Sequence, residues 1–207
     1  GSSTGDNNAA FGYRSLQDNT TGIQNTALGA DSMYTNTTGS TNVAVGFMTL
    51  YSNTTASNNT GCGYQALLLN TTGTGNTAVG KGALPANTTG DNNVAVGKDA
   101  MQDNTTGYQN VAIGQNALAD NTTANNNVAV GYKAMRLTTT GDSNVAVGFQ
   151  ALDANTTGSA NIAVGPSALG ANTEGFSNTA LGADALKANT TGDYNVAIGQ
   201  FASEQNT

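Results

Sequence analysis

The sequence lacks the residues from which most enzyme sites are built. It contains no His, no Trp and a single Cys, and only 9% of its residues are charged. Without His there is no imidazole base or imidazole metal ligand, and one Cys cannot form an intrachain disulfide. No apolar run approaches the roughly 18 residues that a membrane-spanning helix needs. We therefore expect no catalytic residue, no cofactor, no metal site and no membrane insertion.

The chain is also poor in positive charge. Thirteen acidic residues against six basic ones give a net charge of −7. Binding to nucleic acid normally requires a basic stripe that replaces the counterions of the phosphates. The cations are instead spread along the sequence, which disfavours nucleic acid as a partner; they are Arg14, Lys81, Lys98, Lys133, Arg136 and Lys187.

What the sequence does contain is a strict repeat. An Asn recurs every 17 residues, twelve times, without insertion or deletion. A fixed period of this kind is typical of a solenoid, in which each repeat is one coil stacked on the last. We number each coil from its Asn as position 0, so that coils 1 to 12 begin at Asn8, Asn25, Asn42, Asn59, Asn76, Asn93, Asn110, Asn127, Asn144, Asn161, Asn178 and Asn195.

Positions 0 to 4 predict a short strand, because they are rich in β-branched residues and end in Gly. The fold class predicted is all-β: a parallel β-solenoid, or β-roll, of twelve 17-residue coils in one domain over residues 1–207. At about 4.8 Å per coil, the rod would be on the order of 55 to 60 Å long. Residues 1–3, which begin Gly-Ser and not with Met, are expected to be a tag remnant or part of another coil.

Other positions predict how a coil is held together. Gly is invariant at position 4, whereas position 14 accepts Ala56 and Ala124, so position 4 should need positive φ or a close approach. Leu or Met occupies position 8 in eleven coils and should fill the interior. Asn at positions 0 and 11 should stack in hydrogen-bonded rows, and the Asn-Thr-Thr-Gly segment should form a tight corner.

Both faces of the strand are apolar. Positions 1 and 3 point to one side and position 2, which is Ala in eleven coils, points to the other. Because one coil encloses a single interior, we expect the second face to pack on another subunit. Small Ala side chains would allow close approach around a symmetry axis, which predicts a homotrimer. Cys62 at position 3 is expected to be a core residue.

The segment Asn93 to Ala100, which reads N-V-A-V-G-x-x-A, resembles the head repeats of trimeric autotransporter adhesins. The whole unit with N-T-T-G is similar to repeat tracts of bacteriophage tail fibres and bacterial surface fibres. The resemblance covers essentially the whole chain. It implies left-handed coils in a three-fold bundle, located outside the cell on a bacterial surface or on a virion.

Two sets of side chains are candidates for contact with a ligand. The aromatic residues at position 5 could stack on sugar rings or lie at a subunit seam; they are Tyr13, Phe47, Tyr64, Tyr132 and Phe149. Asn at position 11 and Thr at position 13 could present a regular outward grid of the kind used by ice-binding solenoids. The Thr residues of that grid are Thr21, Thr38, Thr55, Thr72, Thr89, Thr106, Thr123, Thr140, Thr157 and Thr191.

These observations favour a non-catalytic structural and adhesive fibre segment that mediates surface attachment, with a cell-surface glycan or receptor as partner. An ice-binding solenoid is the alternative, and a carbohydrate-active fibre is a third reading. The third requires paired carboxylates beside a sugar cleft, but the acidic residues are mostly single and no inserted loop builds a cleft. Repeated Asn-Thr-Thr glycosylation acceptors, stacked ~4.8 Å apart, argue against maturation in a eukaryotic secretory pathway.

Overall fold

The computed structural model describes residues 5–204, and these form a parallel β-solenoid. Each coil contributes one three-residue strand from positions 1 to 3, and the strands make one 12-stranded sheet in chain order. The prediction for residues 1–3 lies outside the described residues. The strands are β1 (Ala9–Phe11), β2 (Thr26–Leu28), β3 (Val43–Val45), β4 (Thr60–Cys62), β5 (Thr77–Val79), β6 (Val94–Val96), β7 (Val111–Ile113), β8 (Val128–Val130), β9 (Val145–Val147), β10 (Ile162–Val164), β11 (Thr179–Leu181) and β12 (Val196–Ile198).

The strands pair in the register that the 17-residue period predicts. Val94 lies opposite Val111, and Ala95 lies opposite Ala112. The same one-coil offset holds for each pair from β1–β2 to β11–β12. Because every coil has the same length, each side chain stacks on its counterpart about 4.8 Å away along the rod.

The interior is narrow and is filled by three small or flexible side chains per coil. Position 2 is buried, as for Ala95 at 0% exposure, and so are position 7 Ala100 and position 8 Met101. The predicted Leu and Met plug is confirmed, with residues from Met33 to Leu186 almost fully buried. Each such side chain contributes about 1.5 to 3 kcal/mol when it leaves water. Leu16 is only half-buried, and Ser203, which replaces the plug in coil 12, is exposed.

Two rows of Asn run through this interior and satisfy nearly all of their own polar atoms. At position 0, Asn59 Nδ2 donates to the Gly73 carbonyl oxygen at 2.8 Å, and Asn59 Oδ1 accepts the Asn76 backbone N–H at 2.9 Å. At position 11, Asn87 Nδ2 donates to Asn70 Oδ1 at 2.8 Å and to the Gly90 carbonyl at 2.9 Å. Buried amides are costly unless bonded, so these rows fix both ends of each corner and confirm the predicted stacking.

The corners use backbone conformations that few residues adopt. Gly97 at position 4 has φ of 136°, and a Cβ there would lie 2.6 Å from the Gly114 carbonyl oxygen. Both reasons given for the invariant Gly are therefore confirmed. Position 8 is also left-handed, as for Leu118 at φ 50°. Such strain costs about 1 to 3 kcal/mol, which the burial of the Leu side chain offsets.

The structure reverses the predicted orientation of the strand. Ala at position 2 faces the coil interior, and the larger residues at positions 1 and 3 face outward. The interior opposite position 2 is already occupied by side chains from positions 7 and 8, which leaves room only for Ala. The prediction that the Ala face meets another subunit was wrong for this reason. Cys62 lies on the outer face and is exposed, so its assignment to the core was wrong too.

Candidate interaction surfaces

The outer face of the strands is an apolar surface that the single chain leaves partly uncovered. Val79 is 37% exposed and Ile113 is 41% exposed, although both stack on neighbours above and below. Thr26, Thr60 and Thr77 interrupt the aliphatic rows without adding charge. In-register pairing continues this face, which we call the strand face, from β1 to β12. Contiguous exposed apolar surfaces are typical of contact sites.

The position-5 side chains form a second surface, beside the turn that follows Gly at position 4. All five predicted aromatic residues are exposed, as for Tyr13 at 72% and Phe149 at 52%. Four of them form two stacked pairs. Phe47 and Tyr64 have ring centroids 5.6 Å apart, and Tyr132 and Phe149 have centroids 5.5 Å apart. The sequence predicted the exposure of these rings but not their pairing.

Two lysines lie between the two aromatic pairs, and a third lies beside the second pair. The ammonium of Lys81 is 5.8 Å from the Tyr64 ring centroid, and that of Lys133 is 5.2 Å from the Tyr132 centroid. Lys98 follows Lys81 at position 5 in the next coil, and it is 3.4 Å from Asp99. Half of the six cations therefore lie within coils 5 to 8, with Lys81 and Lys98 at position 5 and Lys133 at the adjacent position 6. Counting in steps of 17 residues aligns Lys81 with Lys98, whereas Lys133 falls one position further along its coil.

A third cluster lies near the first coils and is held together internally. Arg14 Nε donates to Asp31 Oδ1 at 2.7 Å. Its guanidinium carbon lies 5.1 Å from the Tyr13 ring centroid and 4.8 Å from that of Tyr34. Tyr34 in turn stacks on Tyr51 with centroids 5.3 Å apart. The Arg14 cation is paired with both a carboxylate and aromatic faces. Because its partners lie in its own coil and in the next, the cluster stabilises the stacking of neighbouring coils.

The Thr residues of the predicted grid at position 13 are all exposed. Asn at position 11 is not, since Asn87 and Asn104 are fully buried in the interior row. The expectation that Asn lies outward was therefore wrong. Thr at position 12 is tied down, because Thr88 Oγ1 donates to the Thr105 carbonyl at 3.1 Å. The outward grid is a single row of Thr, interrupted by Glu174.

Within residues 5–204 no three His, Cys, Asp or Glu side chains are grouped as metal ligands. A shallow depression exists where Gly170 lacks a side chain, between Asp153 and Lys187. Both charged walls are already paired, Asp153 with Arg136 at 3.0 Å and Lys187 with Asp184 at 2.7 Å. The depression therefore offers no free charge to a ligand.

Comparison of the chain with protein-family models, with curated proteins and with solved structures gives no match. No helix long and apolar enough to cross a membrane is found among the described residues. The class that the fold defines is the parallel β-solenoid. Three surfaces remain as candidates for function: the strand face, the Thr row at position 13, and the row of position-5 side chains with their position-6 neighbours. We call the last of these the position-5 line.

Proposed function

We propose that the chain is a non-catalytic segment of a homotrimeric surface fibre that mediates attachment, outside the cell on a bacterial surface or a virion. The observation that carries the proposal is the strand face. It is apolar, and it follows the rod from β1 to β12. A partner of the same shape, lying parallel to the rod, would cover it along its whole length.

The energetics of the strand face support a contact between copies. Covering a half-exposed aliphatic side chain contributes about 0.5 to 1 kcal/mol by its buried area. Aliphatic residues recur on this face in nearly every coil, as Val79, Val96 and Ile113 do. The sum over the rod can exceed the cost of association, estimated at roughly 4 to 15 kcal/mol. The resemblance to trimeric adhesin heads favours three copies around one axis.

Absolute mass by light scattering with size exclusion tests the proposal. The expected mass is three times the chain mass of 20.7 kDa. Val79→Asp would place a charge in the seam and should reduce the mass to that of smaller species. Thr89→Asp in the same coil is the matched control, because Thr89 is exposed on another side of the coil. A monomeric wild-type chain would overturn the proposal.

An ice-binding solenoid is the second candidate, and the exposed Thr row supports it. Thr106 and its counterparts repeat once per coil, about 4.8 Å apart. The test is inhibition of ice recrystallisation by the wild-type chain and by Thr106→Tyr, which would interrupt the row. Activity that the substitution abolishes would support this candidate. Its absence in the wild-type chain would eliminate it.

A further inference from the structure

We propose that the position-5 line of coils 3 to 9 binds an acidic, carboxylate-bearing oligosaccharide lengthwise along the rod. The inference rests on the proposed attachment role and names the ligand class. The line runs from Phe47 to Phe149, six coil steps or about 29 Å at 4.8 Å each. Backbone hydrogen bonds tie successive coils together along it, as where Asp99 N–H donates to the Lys81 carbonyl at 3.0 Å.

The two aromatic pairs supply apolar surface at the ends of the line. All four rings are 40% to 52% exposed, with Tyr132 at 40%, Phe47 at 43%, Tyr64 at 47% and Phe149 at 52%. A pyranose ring presents C–H groups on its faces, and these lose contact with water when they pack on an aromatic ring. The pairs recur at the same position five coils apart, so one extended ligand could touch both.

Charge favours an acidic ligand over a neutral one. Positions 5 and 6 of coils 3 to 9 carry three lysines and one acid, Asp99, a local charge of +2 on a chain of net −7. Lys81 and Lys133 each lie over an aromatic ring and have no acid within ion-pair distance among the described residues. Lys98 lies 3.4 Å from Asp99 but keeps 54% of its side chain exposed. Ammonium groups at intervals along the rod pair readily with carboxylates spaced along a polymer.

Neutral polar side chains complete the surface around the cations. Gln65, Gln115, Asn116 and Gln150 occupy position 5 or 6 of the same coils. Their amides can both donate to and accept from sugar hydroxyls. Nucleic acid is disfavoured, because three lysines would neutralise few phosphates while the acidic remainder of the chain repels a dense polyanion.

Isothermal titration calorimetry at low salt tests the proposal with three probes: a hyaluronan hexasaccharide, neutral cellohexaose and a twelve-residue oligothymidylate. We expect hyaluronan alone to bind, and to bind more weakly as salt rises. Lys98→Gln should raise its Kd about two- to fivefold, as loss of one exposed ion pair does. Lys187→Gln, which removes a lysine outside the line, should leave Kd unchanged.

The contribution of the aromatic rings to binding is tested by a second pair of matched variants. Tyr64→Ala should raise the Kd for the hyaluronan probe severalfold, whereas Tyr51→Ala should not, because the Tyr34–Tyr51 stack lies at position 9. Unchanged melting temperatures would show that both variants remain folded. No binding of hyaluronan, equal binding of cellohexaose or oligothymidylate, or equal effects of Lys98→Gln and Lys187→Gln would overturn the proposal. If the chain is a trimer but does not bind hyaluronan, only the proposed ligand is wrong. If it is a monomer that binds hyaluronan, only the proposed contact between subunits is wrong.

Discussion

Thr49 and Gly61 are complementary exceptions to the repeat and face each other across adjacent coils. Thr49 stands at position 7, where other coils carry Ala or Ser, and Gly61 is the only departure from Ala at position 2. A Cβ on Gly61 would lie 2.5 Å from Thr49 Cγ2. The Thr49 hydroxyl donates to the Gly63 carbonyl at 2.6 Å. The missing methyl of Gly61 therefore makes room for the additional methyl of Thr49.

This relationship predicts strong coupling in a double-mutant cycle. Gly61→Ala alone should destabilise the chain by about 1 to 3 kcal/mol, because it overpacks a filled interior. Thr49→Ala alone should cost about 1 kcal/mol through the lost hydrogen bond. The double variant restores the common Ala–Ala pair. Its loss of stability should be smaller than the sum of the two single losses by at least about 1 kcal/mol. Additive losses in denaturant unfolding would show that the two residues are not coupled.

A second exception leaves a polar atom without a partner. Thr138 replaces Asn in the position-11 row, and the buried Asn121 Oδ1, which would accept from an Asn amide there, has no hydrogen bond. Thr138→Asn should supply the donor and stabilise the chain by about 1 to 2 kcal/mol. The reverse change in a regular coil, Asn87→Thr, should destabilise it by at least as much. A neutral or harmful Thr138→Asn would contradict this account of the row.

Substitution by Ala should reduce stability by different amounts at the two Gly positions of a coil, position 4 and position 14. In coil 6, Gly97→Ala puts a Cβ at positive φ and against the next coil, and should cost more than about 2 kcal/mol. Gly107→Ala, at position 14 of the same coil, also brings a Cβ within 2.5 Å of the Ala124 carbonyl oxygen, but without positive φ, and coils 3 and 7 accommodate Ala there, so it should cost less than Gly97→Ala. Equal losses of melting temperature would show that the left-handed backbone is not what selects Gly at position 4.

Asp120 predicts a small dependence of stability on pH. Burial, and then the like charge of Asp103, raise the pKa of the Asp120 carboxyl above its ordinary value. The folded chain then holds this proton more tightly than the unfolded chain, so its stability falls as pH rises through the interval between the two pKa values. Asp120→Asn should therefore be more stable than wild type at pH 7, by less than about 1 kcal/mol for a half-exposed group.

The gain from Asp120→Asn should shrink as pH falls through about 4 and vanish near pH 3, where the wild-type carboxyl is protonated in both states. Asp103→Asn, which removes the smaller of the two causes, should give a smaller gain at pH 7. Thermal unfolding from pH 3 to pH 8 measures both. A gain that is independent of pH would mean that the carboxyl charge is not its origin.

The period alone predicted the strands, their register, the Leu and Met plug and the Asn rows, because an unbroken spacing fixes which residues stack. It did not predict which face of the strand lies inside. Bulky β-branched residues were assigned inward by their hydrophobicity, whereas the interior has room only for Ala. The near-invariance of Ala at position 2 was the available signal, since a closed interior limits side-chain volume more strictly than an open face does.

The candidate surfaces were predicted unevenly for a related reason. Exposure of Tyr64 and Thr89 follows from their positions in the coil, and the structure places both outward. The grouping of Lys81, Lys98 and Lys133 is a relation between coils, which reading along the chain does not show. The inward turn of Asn87 depends on corner geometry: its amide reaches the Gly90 carbonyl only from inside the coil.

The most direct test of the central claim, that the strand face is a seam between subunits, is the reactivity of the Cys62 thiol. Cys62 is the single Cys of the chain and lies exposed on that face in one chain. A thiol reagent should modify it slowly in the native assembly, and rapidly both in denaturant and in folded Val79→Asp, whose substitution is one coil away. Native wild-type Cys62 that reacts as fast as in Val79→Asp would contradict the claim.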